Sequence, residues 1–255
     1  MKIVKITVLL FFFIGVVGCS NSEEKALQYL EDKYGEEFEV MWSKEGSTVF
    51  QDLYGGDKVI VHPKGEPNVV FIVKEFNDKG EWVDDYLSAK WGYELHQKLE
   101  ADIAKELPEG TQFKVNLSVG SDEVDETMAA ISVNEYLSKN KDVKISLTAG
   151  VKTNGPPDIN QYSNGIYNLF QLFKGLDVKL YAISIGFIDQ SEDISEYIQT
   201  SFVNNLQWSN FNAKVYGVVG VDDRLDPDDP SDIVDPSVIL HGPENIIDNY
   251  ESFME

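Results

Sequence analysis

The densest group of side chains able to do chemistry is VDDRLDPDDPSDIVDP, residues 221 to 236, which carries Asp222, Asp223, Asp226, Asp228, Asp229, Asp232 and Asp235. A hard cation such as calcium takes about six to eight oxygen ligands. Asp222, Asp226, Asp228, Asp229 and Asp232 are therefore the candidate metal ligands of this chain. Their order is irregular: Asp226 and Asp228 fit the opening of an EF-hand loop, but Pro230 and Ser231 stand where an acid or amide and then a glycine belong. That irregularity favours a solvated loop, stiffened by Pro227 and Pro230, over a calcium site. The three histidines, His62, His96 and His241, lie at no metal-ligand spacing such as HxH or HExxH. No GxSxG, P-loop or Rossmann glycine pattern accompanies them, so no residue is assigned as catalytic. His96 borders the apolar stripe of a long helix and reads as a packing residue.

The single cysteine, Cys19, has a different chemistry. The chain opens with Lys2 and Lys5, continues as an apolar run from Ile6 to Val17, and places Gly18 before Cys19, the layout of a signal peptide. The run is far shorter than the roughly 20 apolar residues that span a bilayer. Val16-Val17-Gly18-Cys19 resembles the lipobox of bacterial lipoprotein precursors, with Val16 where leucine is commoner. The resemblance implies that Cys19 receives a diacylglyceryl group and becomes the first mature residue. Two or more acyl chains, each methylene contributing about 0.8 kcal/mol, anchor stably where one holds marginally. The expected partner of Cys19 is therefore the cell membrane, at its extracytoplasmic face.

Composition narrows the remaining partners. With 44 acidic against 21 basic residues the formal charge is −23, and loss of Lys2 and Lys5 makes the chain more acidic still. Nucleic acid is excluded, since binding a polyanion relies on Lys and Arg displacing counterions. Arg224 is the only arginine, so no guanidinium cluster recognises phosphate. Once Cys19 is lipidated no thiol remains for a disulfide or a thiolate metal site.

The elements that must position any site read as α+β: a mixed or antiparallel sheet covered by helices, in two α+β units that could be related and share a sheet. Residues 1–18 form the signal peptide, 19–22 a lipidated tether, 23–119 an N-terminal unit and 120–255 a C-terminal unit with the acidic loop. Glu23 and Glu24 open a helix, with Ser20 or Ser22 as its cap, that ends at Gly35. Segments 38–43, 57–63 and 68–76 suggest an antiparallel meander. Leu87, Trp91, Leu95, Leu99, Ile103 and Leu107 recur every four residues, which predicts a long helix over 84–107 covering that meander. Strand 111–119 places Phe113, Val115, Leu117 and Val119 on one face. Strands over 142–151, 177–188 and 213–221 then alternate with helices over 158–174 and 192–206. Aromatic residues gather around Trp82, Tyr86, Trp91 and Tyr93, and again around Tyr162, Tyr167, Phe170 and Phe173. They offer either a core or a groove for glycan or peptide.

Residues 23 to 107, through ALQYLEDKYGEEFEV, VIVHPKGEPNVVFIV and DDYLSAKWGYELHQKLE, resemble envelope lipoproteins of low-GC Gram-positive bacteria. That resemblance brings no catalytic motif. The expected function is a non-enzymatic, surface-exposed binding lipoprotein whose acidic face engages a protein or a basic ligand. By analogy of compartment and charge, an immunity-type protein is one form of it. The competing class is an envelope hydrolase using paired carboxylates.

Overall fold

Helix α1 (Asn21–Tyr34) carries Glu23 and Glu24 in its first turn and Lys33 in its last, each sign matched to the helix dipole. Gly35 ends it at φ 69°, its N–H bonded back to Glu31 O at 2.8 Å. This computed structural model describes residues 21–44, 57–76, 81–120, 124–204, 206–231 and 234–254; Cys19 and Asp232 lie outside them.

The first sheet is the expected meander. Strands β1 (Phe38–Lys44), β2 (Lys58–Pro63), β3 (Phe71–Glu75) and β4 (Trp82–Asp84) pair antiparallel in that order. Helix α2 (Tyr86–Glu106) buries the stripe Leu87, Trp91, Leu95, Leu99 and Ile103. It lies mainly along strand β5 (Gln112–Ser118), whereas α1 packs on β1 and β2. The physical reason is on the helix: Ser88, Gly92 and His96, spaced four residues apart, form a row facing the outer edge of β5. Ser88 Oγ accepts from Val119 N at 3.3 Å and His96 Nδ1 accepts from Val115 N at 3.4 Å. Between them Gly92 permits close approach, since a Cβ there would sit 2.9 Å from Leu117 N. The helix thereby covers a sheet edge that would otherwise present unpaired N–H groups.

β5 belongs to the second sheet. It pairs antiparallel with β6 (Lys144–Thr153), from Gln112 opposite Gly150 to Ser118 opposite Lys144. Helix α3 (Val133–Lys139) precedes β6, and helix α4 (Ser163–Lys174) crosses over to β7 (Leu180–Asp189), parallel to β6. Helix α5 (Ser195–Gln199) follows, then β8 (Val215–Asp222) and β9 (Tyr250–Ser252), both antiparallel. The described strands therefore form two sheets, a four-stranded antiparallel one and a five-stranded mixed one. What they share is a single core cluster running from Ala26 to Ile246.

The helix expected over 192–206 is cut to five residues. Ser201 N turns to Ile198 O, and the Asn204 side-chain amide donates to Tyr197 O at 3.1 Å, taking the carbonyl that a continuing helix would use. Residues 195–204 and 206–211 form a strap across the outer face of the second sheet. Ile188, Ile194, Tyr197, Ile198 and Trp208 form a small separate cluster beneath it. Gly186 makes room for the indole: a Cβ there would stand 2.5 Å from Trp208 Cδ2. Among the described residues no helix is long and apolar enough to cross a membrane.

Candidate functional site

The acidic loop is a structural corner. Asp222 caps the short turn after β8 and holds Arg224 Nη2 at 2.6 Å. Asp223 accepts from Tyr181 N at 3.1 Å. Asp226, 8% exposed, accepts from Lys174 Nζ at 2.6 Å, Asp228 N at 2.9 Å and Tyr181 Oη at 3.2 Å. Burial pulls its pKa upward, but the bonds from Lys174 and the Asp228 N–H outweigh burial and hold it below the usual carboxylate range. Asp228 takes Lys174 at 2.5 Å, Asp235 caps Ser237 N at 2.9 Å, and Asp229 is exposed. The loop thus ties the end of β8 to the last residue of α4, and the two aspartates that fit an EF-hand opening are bound to one lysine. Among the described residues no three His, Cys, Asp or Glu side chains are placed to hold a metal ion.

The histidines stay on separate elements. His62 Nδ1 lies 2.8 Å from Pro63 O, and His241 sits in the loop before the turn at 243–249. The aromatic clusters are mostly core: Trp91 stacks on Tyr136 at 4.1 Å between centroids, Tyr86 packs against Phe38 and Phe71, and Phe170 and Phe173 are fully buried. Tyr93 alone of the first group reaches the pocket described next.

Where α2, the start of β5 and α5 meet, a cavity of about 340 Å³ opens to the surface. The strand contributes Gln112 and Lys114, the helix His96 and Glu100, and the strap Ser195. Lys114 points from the outer face of β5 and donates to Gln199 O at 2.6 Å. Burial pushes its amine down from 10.5 to about 8. His96, lodged between Tyr93 and Phe113, is lowered from 6.5 by burial and by Lys114, with Glu100 opposing. Because Nδ1 accepts from Val115, the neutral ring carries its proton on Nε2. Gln112 Nε2 donates to Ser195 Oγ at 3.0 Å, but Gln112 Oε1 is buried without a partner. A hydroxyl both donates and accepts, so either amide atom can face Ser195, and the other is left over. A buried polar atom in that state costs about 1–3 kcal/mol.

A second cleft, of about 220 Å³, holds Asp84, Asp85 and Asp125. Asp84 is fully subscribed: Lys33 Nζ, Tyr29 Oη, Tyr34 Oη and Tyr86 N donate to it at 2.7, 2.8, 2.9 and 3.0 Å. Asp125 accepts from Thr127 N at 2.9 Å. Asp85 is raised by burial and by Asp84 against the pull of Lys74.

Gln112, Lys114, Glu100 and Ser195 are absent from the residues singled out by motif. A signal for Lys114 was present: the alternation that turns Val115 and Leu117 inward puts a lysine in mid-strand on the opposite face. Gln112 carries no such signal, because its orphaned atom is a product of tertiary packing.

No protein-family model and no curated protein matches the chain. A crystal structure of a DUF5037 family protein from Ruminococcus gnavus ATCC 29149 is similar to 78% of this chain and 89% of its own, at 15% identity and a TM-score of 0.47.

Proposed function

We propose that the protein is a lipid-anchored, extracytoplasmic binding module that docks a protein partner through the Lys114 pocket. The observation that carries the reading is the surface opening itself, lined side by side by the amide of Gln112, the carboxylate of Glu100 and the amine of Lys114. Such a pocket accepts one polar or basic side chain of a partner, giving orientation through a few placed groups. Anchoring rests on the lipobox reading of Cys19, and α1 begins two residues after it, so the body stands close to the membrane. The strong negative charge keeps that body off an anionic surface and draws in basic partners. Paired-carboxylate hydrolysis needs two acids about 5–9.5 Å apart with freedom to exchange protons. The Lys114 pocket offers only Glu100, and in the second cleft Asp84 is committed to four donors.

Two measurements test the proposal. Metabolic labelling with an alkyne fatty acid marks the wild type and not Cys19→Ala; equal absence of label in both refutes the anchor. Affinity capture from intact cells retains a partner on wild type and loses it on Gln112→Leu. Retention of the same partner at the same strength by both proteins refutes the pocket.

A further inference from the structure

A larger cavity, of about 540 Å³, lies elsewhere, on the outer face of the second sheet beside the strap. Its floor is a row in register across three strands: Thr148 of β6 opposite Ser184 of β7, and Ser184 opposite Gly220 of β8. The wall is braced from within. Trp208 Nε1 donates to Ser184 Oγ at 3.1 Å, and Tyr197 Oη donates to Leu206 O at 2.8 Å.

Gly220 is the informative residue. Glycine weakens a strand interior, so its presence there marks a bulge, a bend or a close approach by something else. The pairing of β7 with β8 runs unbroken through Gly220, its φ is not in the left-handed region, and an added Cβ would meet nothing within 4 Å. Among the described residues nothing occupies the space of the missing side chain. Its effect is a bare strip of backbone on the floor of a groove.

The groups around that strip define what would lie on it. Thr148, Gln207 and Ser209 line the groove with neutral hydroxyl and amide groups that have no hydrogen-bond partner among the described residues, and Lys144 and Glu251 stand at its margins with opposite charges. One lysine and one glutamate cancel, so the lining itself selects neither an anion nor a cation. A neutral polyol donates and accepts at every hydroxyl and can satisfy all of them. Leu206, exposed, and Phe253, half-buried, supply apolar wall for the C–H face of a sugar ring.

We infer that this groove is a saccharide-binding site, separate from the Lys114 pocket, in which a neutral sugar ring lies over Gly220 and bonds to Thr148, Gln207 and Ser209. The test is calorimetric titration of the full chain with the neutral trisaccharides maltotriose, cellotriose and tri-N-acetylchitotriose, and with trigalacturonate as the anionic probe. The expected result is saturable binding of at least one neutral sugar, with trigalacturonate weaker. Gly220→Val, whose extended backbone suits a β-branched residue, should melt at the same or a higher temperature yet bind about tenfold more weakly or not at all. If that variant fails to fold, Gln207→Ala with Thr148→Val carries the same expectation. Gln112→Leu should bind the sugar as wild type does, which separates this site from the partner pocket. Absence of binding by every neutral probe, tighter binding of trigalacturonate, or unchanged binding in the groove variants would overturn the inference.

Discussion

Lys114→Met probes the electrostatics of the pocket and keeps the side chain's length. Lys114 stands opposite Thr148 in the sheet, donates to one backbone carbonyl, and has burial as the sole cause of its shift from 10.5 to about 8. A lysine lowered in the folded state is a liability at neutral pH. Between about pH 8 and 10.5 the unfolded chain keeps the proton that the native chain has released, so native stability rises with pH across that window. The penalty is fully present below pH 8 and gone above 10.5. Integrating over the two pKa values, the wild type regains roughly 2.5 kcal/mol between about pH 7 and pH 10. The variant has no group to titrate there. Urea unfolding of both proteins, followed by tryptophan fluorescence at the two pH values, should show the wild-type-minus-variant difference moving by that amount in favour of wild type. For a chain of this size that is about 5–10 °C in melting temperature. A movement below about 0.5 kcal/mol would show that the amine is solvated. A movement of opposite sign would show that Glu100 pairs with it, and either result refutes the reasoning.

The remaining predictions concern the frame. Asp84→Asn removes the charge opposite Lys33 and turns one of the two oxygens that accept from Lys33, Tyr29 and Tyr34 into a donor, at a side chain 1% exposed, and should cost about 2–4 kcal/mol in urea, moderated by the partial exposure of Lys33. Gly92→Ala forces α2 from the edge of β5 and should cost about 1–3 kcal/mol, read by thermal melting with intact far-ultraviolet dichroism. Asp226→Asn with Asp228→Asn should lower the melting temperature through loss of Lys174. Calcium and sodium at equal ionic strength should shift the wild type equally, and a calcium-specific rise of several degrees would restore the metal reading of the loop.

Much of the frame was legible because it rests on local rules. The cap acids and Gly35 of α1, the four-residue stripe of α2 and the turn signals between β1, β2 and β3 each announce themselves within a few residues. Strand β5 was legible as a strand but not as a partner of β6, because pairing across the intervening residues depends on which edge α2 leaves open. The 3-residue strands β4 and β9 are too short to show alternation. The end of α5 turns on Asn204 competing for a helix carbonyl, a contest that apolar periodicity does not record. The acidic loop was legible as acidic; that Lys174 occupies Asp226 and Asp228 depends on where α4 ends in space. Both cavities arise from the strap lying on the second sheet, so neither is written in any single motif.

The central claim is that a membrane-anchored body docks its partner at the Lys114 pocket, and photo-crosslinking in intact cells tests it most directly. A benzophenone amino acid replaces Asn68 on the pocket rim or, as a control, the exposed Lys139 at the end of α3. The account predicts one discrete adduct from position 68, lost when Gln112→Leu is added, and none from position 139. No adduct from position 68, or the same adduct from both positions, would contradict it.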